Sequence, residues 1–272
     1  MEAADLVLRA AFRTTYGRKD NIQRYLEIQP SCAFVAKKDN DIVGFGGAMD
    51  FGPFSYIGLM AVDPKVQRQG VGGMVLQEIM NWLEERKCPT WLLDASPYGG
   101  PLYEKFGFID SDLTLVLQQK NETNKPVKRE ITPTSTITER DFPALVSFDT
   151  PRFGAGRFKL LHTYFEDDPA RFLVSRDESG PIDGFLCAQS RVIGPWIVSN
   201  QGAAEKLLIN ALSFPFEDSP TVFVSALNNE ALKLLSQYGF EKIRTQRHMY
   251  KGRPISRDRH GSIYGQATLG FG

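Results

Sequence analysis

The stretch YIGLMAVDPKVQRQGVGGMVLQEIMNWLEER, Tyr56 to Arg86, predicts a strand, a glycine-rich turn and a helix in that order. Such an order places the unpaired N–H groups of the turn, Gln67 to Gly72, at the positive end of a helix dipole, where phosphates bind. Gly70 and Gly72 let those groups approach phosphate oxygens, and Arg68 adds charge at the rim. The alternative is an ordinary strand-to-helix loop, because a GxG pattern is short and common.

The turn matches neither of two common phosphate motifs. A Walker loop needs a Lys followed by Ser or Thr after its last glycine, and the dinucleotide fingerprint needs a third glycine where Val75 stands. A ligand that bears a diphosphate is therefore predicted on other grounds, namely the order of strand, turn and helix.

The composition of the chain limits the number of domains and the classes of partner that can be expected. With 272 residues, 32 basic and 32 acidic side chains and 42% apolar residues, the chain has room for two domains with cores of their own. The balanced charge argues against a nucleic-acid partner, and no stretch approaches the roughly 20 apolar residues of a membrane span. No secretory signal is visible, and Cys32, Cys88 and Cys187 show no metal or redox spacing, so we expect reduced packing cysteines in a cytoplasmic protein.

Apolar periodicity predicts two helices within residues 4–28 and strands at about 31–38 and 42–49. From Gln118 to Thr134 the chain carries many charges and two prolines, which is typical of an exposed linker. The predicted organisation is a first domain at residues 1–119, a linker at 120–134 and a second domain at 135–272.

The two halves resemble each other near their ends. TWLLDASPYGGPLYEKFGF from Thr90 aligns with TVFVSALNNEALKLLSQYGF from Thr221, and a repeat of this size indicates tandem copies of one fold. The second half has a single glycine and no cation in its strand-to-helix turn, and Leu235 stands where the first half has Tyr103. The phosphate site is therefore predicted in the first half alone.

The run VDPKVQRQGVG resembles the acyl-CoA-binding motif of the GNAT acetyltransferase superfamily, a Q/R-x-x-G-x-G/A loop after a bulged strand. The succession TWLLDAS, PLYEKFGF and FIDSDLTLVLQQ is similar to the last third of a GNAT domain. The resemblance implies an α/β (α+β) fold of two tandem GNAT-like domains, the second one degenerate. Each would have a mixed, mostly antiparallel sheet with a splayed central strand pair flanked by helices.

The same resemblance implies a site for acetyl-CoA as co-substrate. Backbone groups of the strand residues Met60, Ala61 and Val62 would pair with the pantetheine arm and polarise the acetyl carbonyl. Tyr103 matches the tyrosine that many family members use to protonate the coenzyme A thiolate, although an aromatic residue at helical spacing is more often core. The pyrophosphate would lie on the amides of the turn, Gln67, Arg68, Gln69, Gly70, Val71 and Gly72.

Other polar residues receive weaker interpretations. Asp50 and Asp94 are possible general bases, but either could cap a turn, and no base is assigned. The three histidines share no ligand spacing, so no metal site is predicted.

The basic run from Arg244 to His260 is typical of a solvated arm, with an anionic-ligand site as the alternative. The closing segment, Ser262 to Gly272, alternates like an added strand and is similar to the tail of bacterial tandem members, where it could close the interface between the halves.

Two classes of function fit these observations. The first is an N-acetyltransferase that moves an acetyl group from acetyl-CoA to a primary amine of a small molecule. The second is a coenzyme A-binding sensor or scaffold that has lost catalysis. Acetylation of a protein lysine or N-terminus is a third reading, although no acidic groove for a basic peptide is visible. The sequence leaves open the acceptor, the acyl chain length and the oligomeric state.

Overall fold

A computed structural model describes residues 1–120 and 134–272. In the first half, the helices predicted within residues 4–28 form α1 and α2, and the strand, turn and helix of the glycine-rich stretch form β3, the turn and α3. The elements of this half are α1 (Glu2–Phe12), α2 (Lys19–Ile28), β1 (Ala33–Lys38), β2 (Asp41–Asp50), β3 (Ser55–Val62), α3 (Val71–Glu85), β4 (Thr90–Ala95), α4 (Gly100–Lys105) and β5 (Ile109–Gln119).

The second half repeats this order of strands and helices after a pair of helices of its own. Its elements are β6 (Ser135–Thr136), α5 (Phe142–Phe153), α6 (Phe158–Asp167), β7 (Phe172–Arg176), β8 (Ile182–Ala188), β9 (Ile193–Val198), α7 (Gln201–Ala211), β10 (Thr221–Ser225), α8 (Asn229–Gln237), β11 (Phe240–Gly252) and β12 (Ile263–Gly265). Most of the predicted linker lies at residues 121–133, outside the described residues.

The halves exchange strands. One sheet has the order β1-β2-β3-β4-β11-β5-β10, so β11 of the second half lies between β4 and β5 of the first. Reciprocally, β5 pairs along β10, with Thr221 opposite Gln118 and Ser225 opposite Thr114. The last long strand of each half therefore completes the sheet of the other half, and the backbone N–H groups at the centre of the molecule are satisfied only when both halves are present.

The first-half sheet opens between β3 and β4. These two parallel strands pair only at Ser55 with Trp91 and at Tyr56 with Leu92, and beyond those residues they separate. The pairing of β3 with β2 also shifts register between Phe45 and Gly47, where Leu59 has a left-handed φ of 54°. A bulge at this point turns the end of β3 away from β4, which widens the gap.

Two layers of side chains cover the opened sheet. On one face α3 packs Leu76, Ile79 and Leu83 against residues of β4 and β11 that include Leu93 and Met249. On the opposite face lie α1 and α2, together with a core of aromatic residues shared with the second half. The other sheet, β12-β9-β8-β7-β6, belongs wholly to the second half.

The prediction of a solvated arm from Arg244 to His260 is wrong for the part that forms β11 and for Arg259. Residues 244–252 of this run belong to β11, a central strand, in which His248 is 3% exposed. In the segment that follows, Arg259 is 6% exposed, whereas Arg253 and His260 are exposed. The burial of His248 and Arg259 is compatible with charge because carboxylates of the first half reach them, as Asp112 does for Arg259 at 3.3 Å. The sequence of a cationic run does not show which carboxylates, far away in the chain, will pair with it in the folded protein.

Candidate functional site

The end of β3 leaves one backbone edge free to face the gap. β2 occupies the other edge of β3, whereas β4 pairs with β3 only as far as Tyr56. The groups of Met60, Ala61 and Val62 therefore stand at the mouth of the opening, and the side chain of Gln67 donates a hydrogen bond to the Val62 carbonyl at 3.0 Å. Gln67 thus fastens the turn to the end of the strand.

The turn leads into α3 with its amides exposed. Arg68 and Gly70 have left-handed φ angles of 65° and 88°, and Gly70 is the N-cap of α3. No side chain caps the helix, so its first N–H groups have no side-chain acceptor within the described residues. A Cβ built on Gly70 meets no atom within 4 Å, which means that open space lies over these amides. A phosphate group fits such a space, because backbone donors and the helix dipole both favour an anion.

The predicted turn residues do not all face this space. Gln67, Arg68, Gly70 and Gly72 line the cleft, while the side chain of Val71 is 9% exposed and packs inward. Gln69 is exposed but does not line the cleft. Any role of Val71 and Gln69 toward a ligand is consequently limited to their backbone.

Tyr103 stands across the gap on the short helix α4. It is 8% exposed, packs edge-to-face against Phe108 and also lines the cleft. Burial raises the pKa of its phenol above the ordinary value, so the group stays protonated at neutral pH. Tyr103 therefore packs in the core and also lines the cleft, and its protonated phenol is a hydrogen-bond donor there.

A buried polar network lies at the base of the gap. Asp94 accepts hydrogen bonds from the hydroxyl of Thr114 at 2.6 Å and from the amide of Gln266 at 2.9 Å. It is also bonded to the hydroxyl of Tyr56 and to Nδ1 of His248, the latter at 3.0 Å. The network thus joins β3, β4 and β5 of the first half to β11 and the closing segment of the second.

The protonation states of this network follow from its partners. Burial opposes ionisation of Asp94, yet His248, Arg259 and the Thr114 hydroxyl together hold its pKa well below the usual range. Burial and the positive charge of Arg259 lower the pKa of His248 to about 4, so its imidazole is neutral at neutral pH and Nδ1–H donates to Asp94. With no exposed side-chain surface and four partners, the Asp94 carboxylate positions its neighbours and is poorly placed to take a proton from an entering amine.

Asp50, the other acid considered from sequence, is occupied elsewhere. It accepts from the N–H of Gly52 at 2.8 Å and pairs with Arg86 at 2.7 Å, at the turn between β2 and β3. It does not line the cleft. Asp50 therefore caps a turn, which was the alternative interpretation of this residue.

The corresponding gap in the second half is filled by the chain itself. β12 pairs with β9 through Ile263 with Ile197 and Gly265 with Trp196, and the N–H of Gln266 donates to the Phe223 carbonyl of β10 at 2.9 Å. At the start of α7, the side chain of Asn200 already accepts from the N–H of Ala203. The second half consequently has no open slot between these strands.

The open gap of the first half continues into a large cleft of about 2480 Å³ between the two halves. Its walls include the end of β3 and the turn on one side, and loops and strand residues of the second half on the other. Thr268, Leu269 and Gly270 of the closing segment line the cleft, and the hydroxyl of Tyr25 donates a hydrogen bond to the Gly270 carbonyl. Such a cleft can hold a long thioester carrier and a smaller molecule together.

Comparison with known proteins assigns this architecture to a family. Residues 3–108 match the model of the acetyltransferase (GNAT) family, and residues 145–265 match a second acetyltransferase (GNAT) domain. The chain therefore belongs to the GNAT acetyltransferases, as a tandem of two domains. The predicted family and fold class are both confirmed.

Individual relatives extend this picture. The Bacillus subtilis protein YitH, described as an uncharacterized N-acetyltransferase, is 27% identical over 173 residues, a match that spans 62% of this chain and 60% of YitH. A provisionally assigned acetyltransferase from Pyrococcus horikoshii has the same fold over 100% of this chain and 92% of its own, with a TM-score of 0.86 at 24% identity. A GCN5-related N-acetyltransferase from Sphaerobacter thermophilus covers 94% of this chain and 93% of its own, with a TM-score of 0.69 at 17% identity.

Sequence reasoning missed the parts of the site that come from the second half. His248 and Gln266 contact Tyr56 and Asp94 from positions more than 150 residues away. The available signal was the placement of Asp94 within the otherwise apolar strand β4, whereas His248 lies in a strand whose sequence is largely polar. Buried polar residues in strands require partners, but the sequence does not name them.

Proposed function

We propose that the first half catalyses transfer of an acetyl group from acetyl-CoA to a primary amine of a small molecule. The observation that supports this most strongly is the contrast between the halves, because the gap beside an uncapped, glycine-preceded helix is open in one and filled by β12 in the other. The pyrophosphate would lie on the amides from Gln67 to Gly72, and the pantetheine arm would pair with the free edge of β3. No helix within the described residues is long and apolar enough to cross a membrane.

In this proposal the amine nitrogen attacks the thioester carbon, and the carbonyl oxygen becomes an oxyanion stabilised by backbone N–H groups near the bulge of β3. The C–S bond then breaks and the electron pair leaves with sulfur, while the amine loses its proton to solvent. Tyr103 would donate its phenolic proton, or a hydrogen bond, to the departing thiolate. Because its pKa is raised, hydrogen-bond donation is the larger part of that role.

The test is release of free thiol from acetyl-CoA in the presence of a panel of primary amines, with the product identified by its mass. Replacement of Tyr103 by Phe is expected to lower kcat by about 10²-fold or more, with a small change in KM for acetyl-CoA. Tyr98→Phe is the matched control, since Tyr98 lines the same cleft from the neighbouring loop but is 97% exposed, so that its hydroxyl stands in solvent.

The outcomes separate the candidate functions. Binding of acetyl-CoA without turnover on any amine would favour a sensor, and turnover on peptides alone would favour protein acetylation. Equal kcat in Tyr103→Phe and the wild type would remove Tyr103 from the chemistry while leaving the acetyl-transfer reaction intact.

A further inference from the structure

A cluster of arginines lines the cleft opposite the turn. The guanidinium carbons of Arg18 and Arg191 both lie close to the Tyr16 ring, 4.7 and 4.4 Å from its centroid. Arg244 of β11 lines the same part of the cleft, where partial desolvation and the charge of Arg18 lower its pKa. We refer to Arg18, Arg191 and Arg244 as the arginine cluster.

The charge of the arginine cluster is only partly compensated. Arg191 pairs with Glu217 at 3.1 Å and with Asp218 at 3.5 Å. Among the described residues, no carboxylate lies within 4 Å of the guanidinium of Arg18 or Arg244, and Nε of Arg18 is buried without an acceptor. The Asp5 carboxylate accepts a hydrogen bond from the backbone N–H of Arg18 and not from its guanidinium. Two guanidinium groups in one cleft that are paired with no carboxylate favour binding of an anion.

Arg244 lies on β11, two residues before Gln246, which stands near the end of β4 beside the gap where the acetyl group would bind. Gln246 and His248 alternate with it on one face of the strand, opposite Thr114 and Asp112 of β5, whereas Met249 faces α3. Arg247 pairs with Ala95 at the end of β4, so Gln246 stands just beyond the last residue of β4. Arg244 precedes Gln246 by two residues, so it lies roughly 7 Å further along β11, away from the end of β4.

Gln246 adds a second, independent observation. It is 5% exposed and lines the cleft, and its Oε1 atom is buried without a hydrogen-bond donor among the described residues. An unpartnered buried acceptor costs free energy unless a ligand supplies the donor. An amine N–H beside Gln246 would supply it.

We propose that the acceptor amine carries a carboxylate or phosphate group, that Arg18 and Arg244 bind this group, and that Gln246 accepts a hydrogen bond from the amine. This inference rests on the proposed acetyl transfer, whose acceptor it assigns to a chemical class. Guanidinium groups suit both oxyanions, because their N–H donors match the spacing of two oxygen atoms. The face of β11 that carries Arg244 is the one away from α3, so the anion would lie apart from the pyrophosphate.

The experiment compares matched pairs of amines in the thiol-release reaction. The pairs are ω-amino carboxylates with their amides, and aminoalkyl phosphates with the parent amino alcohols. The wild type is expected to prefer the anionic member by roughly tenfold or more in kcat/KM. In Arg244→Gln this preference should fall toward unity through a higher KM for the anionic amine. Arg253→Gln, which removes an exposed arginine outside the cleft, should keep the wild-type preference.

A titration of inorganic phosphate into protein saturated with coenzyme A tests the anion site without turnover. Saturable binding that Arg244→Gln weakens roughly tenfold, and Arg253→Gln does not, supports the inference even if no amine reacts. Equal kcat/KM within the pairs, phosphate binding that is absent or unchanged in Arg244→Gln, or a raised KM for acetyl-CoA in that variant would overturn it. If neutral amines react as well as anionic ones, the acetyl transfer stands and the acceptor class is wrong.

Discussion

At the scale of single residues, the site depends on a few positions whose backbone or burial is unusual. Gly70 is needed because the chain enters α3 through a left-handed conformation and leaves open space above the helix amides. Asp94 and His248 matter for a different reason, since they are buried polar groups whose hydrogen bonds are satisfied within the network around Asp94. Substitutions at these positions should therefore affect distinct properties, ligand affinity in the first case and stability in the second.

Gly70→Asn should lower the affinity for acetyl-CoA by roughly tenfold or more, because its side chain would enter the space over the helix amides. Asn tolerates a left-handed φ, so the loss of stability should be about 1 kcal/mol or less. Gly52 provides a matched control, because its φ of 90° is nearly the same and a Cβ there also meets nothing within 4 Å. Calorimetry on both variants measures the affinities, and equal loss in both would argue against the phosphate site.

The free energy of unfolding should decrease as the pH is lowered, because the buried imidazole of His248 resists protonation in the folded state. Its pKa of about 4 lies below the ordinary 6.5, so the folded protein binds fewer protons than the unfolded chain between these values. The stabilisation is complete above pH 6.5 and is lost as the pH falls toward 4, by roughly 3 kcal/mol. The lowered pKa of Asp94 acts in the same direction at still lower pH.

Urea unfolding at several pH values measures this dependence. His248→Asn keeps a donor toward Asp94 and removes the titrating group, so its unfolding free energy should change less with pH than that of the wild type. Parallel pH profiles for the two proteins would show that His248 does not titrate in this way.

At the scale of elements, the closing segment has two different tasks along its short length. β12 fills the gap between β9 and β10, and the residues that follow run along β3 of the first half. Gly58 of β3 makes this close approach possible, because a Cβ there would lie 2.4 Å from Cα of Gly270 and 2.7 Å from the Tyr25 hydroxyl. The fit is thus a backbone-to-backbone contact with no room for a side chain.

Gly58→Ala should displace the segment around Gly270 and destabilise the protein by about 1–3 kcal/mol. Hydrogen exchange of residues 268–272 should speed up, since their packing on β3 would be lost. Gly156→Ala is the control, because a Cβ at Gly156 meets nothing within 4 Å. Unchanged exchange in Gly58→Ala would mean that the segment does not depend on this contact.

At the scale of the whole molecule, the strand exchange makes the two halves one folding unit. Without β11, the strands β4 and β5 would lose the strand that hydrogen-bonds to both of them. Without β5, the strand β10 would lose its hydrogen-bonded neighbour. The cleft exists only in the assembled protein, because its two walls come from different halves.

Residues 1–120 and 134–272 produced as separate chains should therefore each fail to give a cooperative unfolding transition. Produced together, they should purify as a complex with one copy of each, because the exchanged strands restore the sheet. Size-exclusion chromatography and thermal unfolding make the comparison. A cooperatively folded first half on its own would contradict the role given to β11.

Most helices and strands, the tandem family and the location of the glycine-rich turn can be predicted from the amino-acid sequence, because they follow from local apolar periodicity, from the glycines and from the repeat near the end of each half. The strand β11 cannot, because its charged run is typical of a solvated arm. The three-dimensional structure was needed to see that β5 and β11 change places, that β12 closes the second gap, and that His248 and Gln266 complete the network around Asp94. These contacts join residues from opposite halves, and one strand edge offers nearly the same hydrogen bonds as another. The choice among edges is made by how the assembled side chains pack, which no local pattern records.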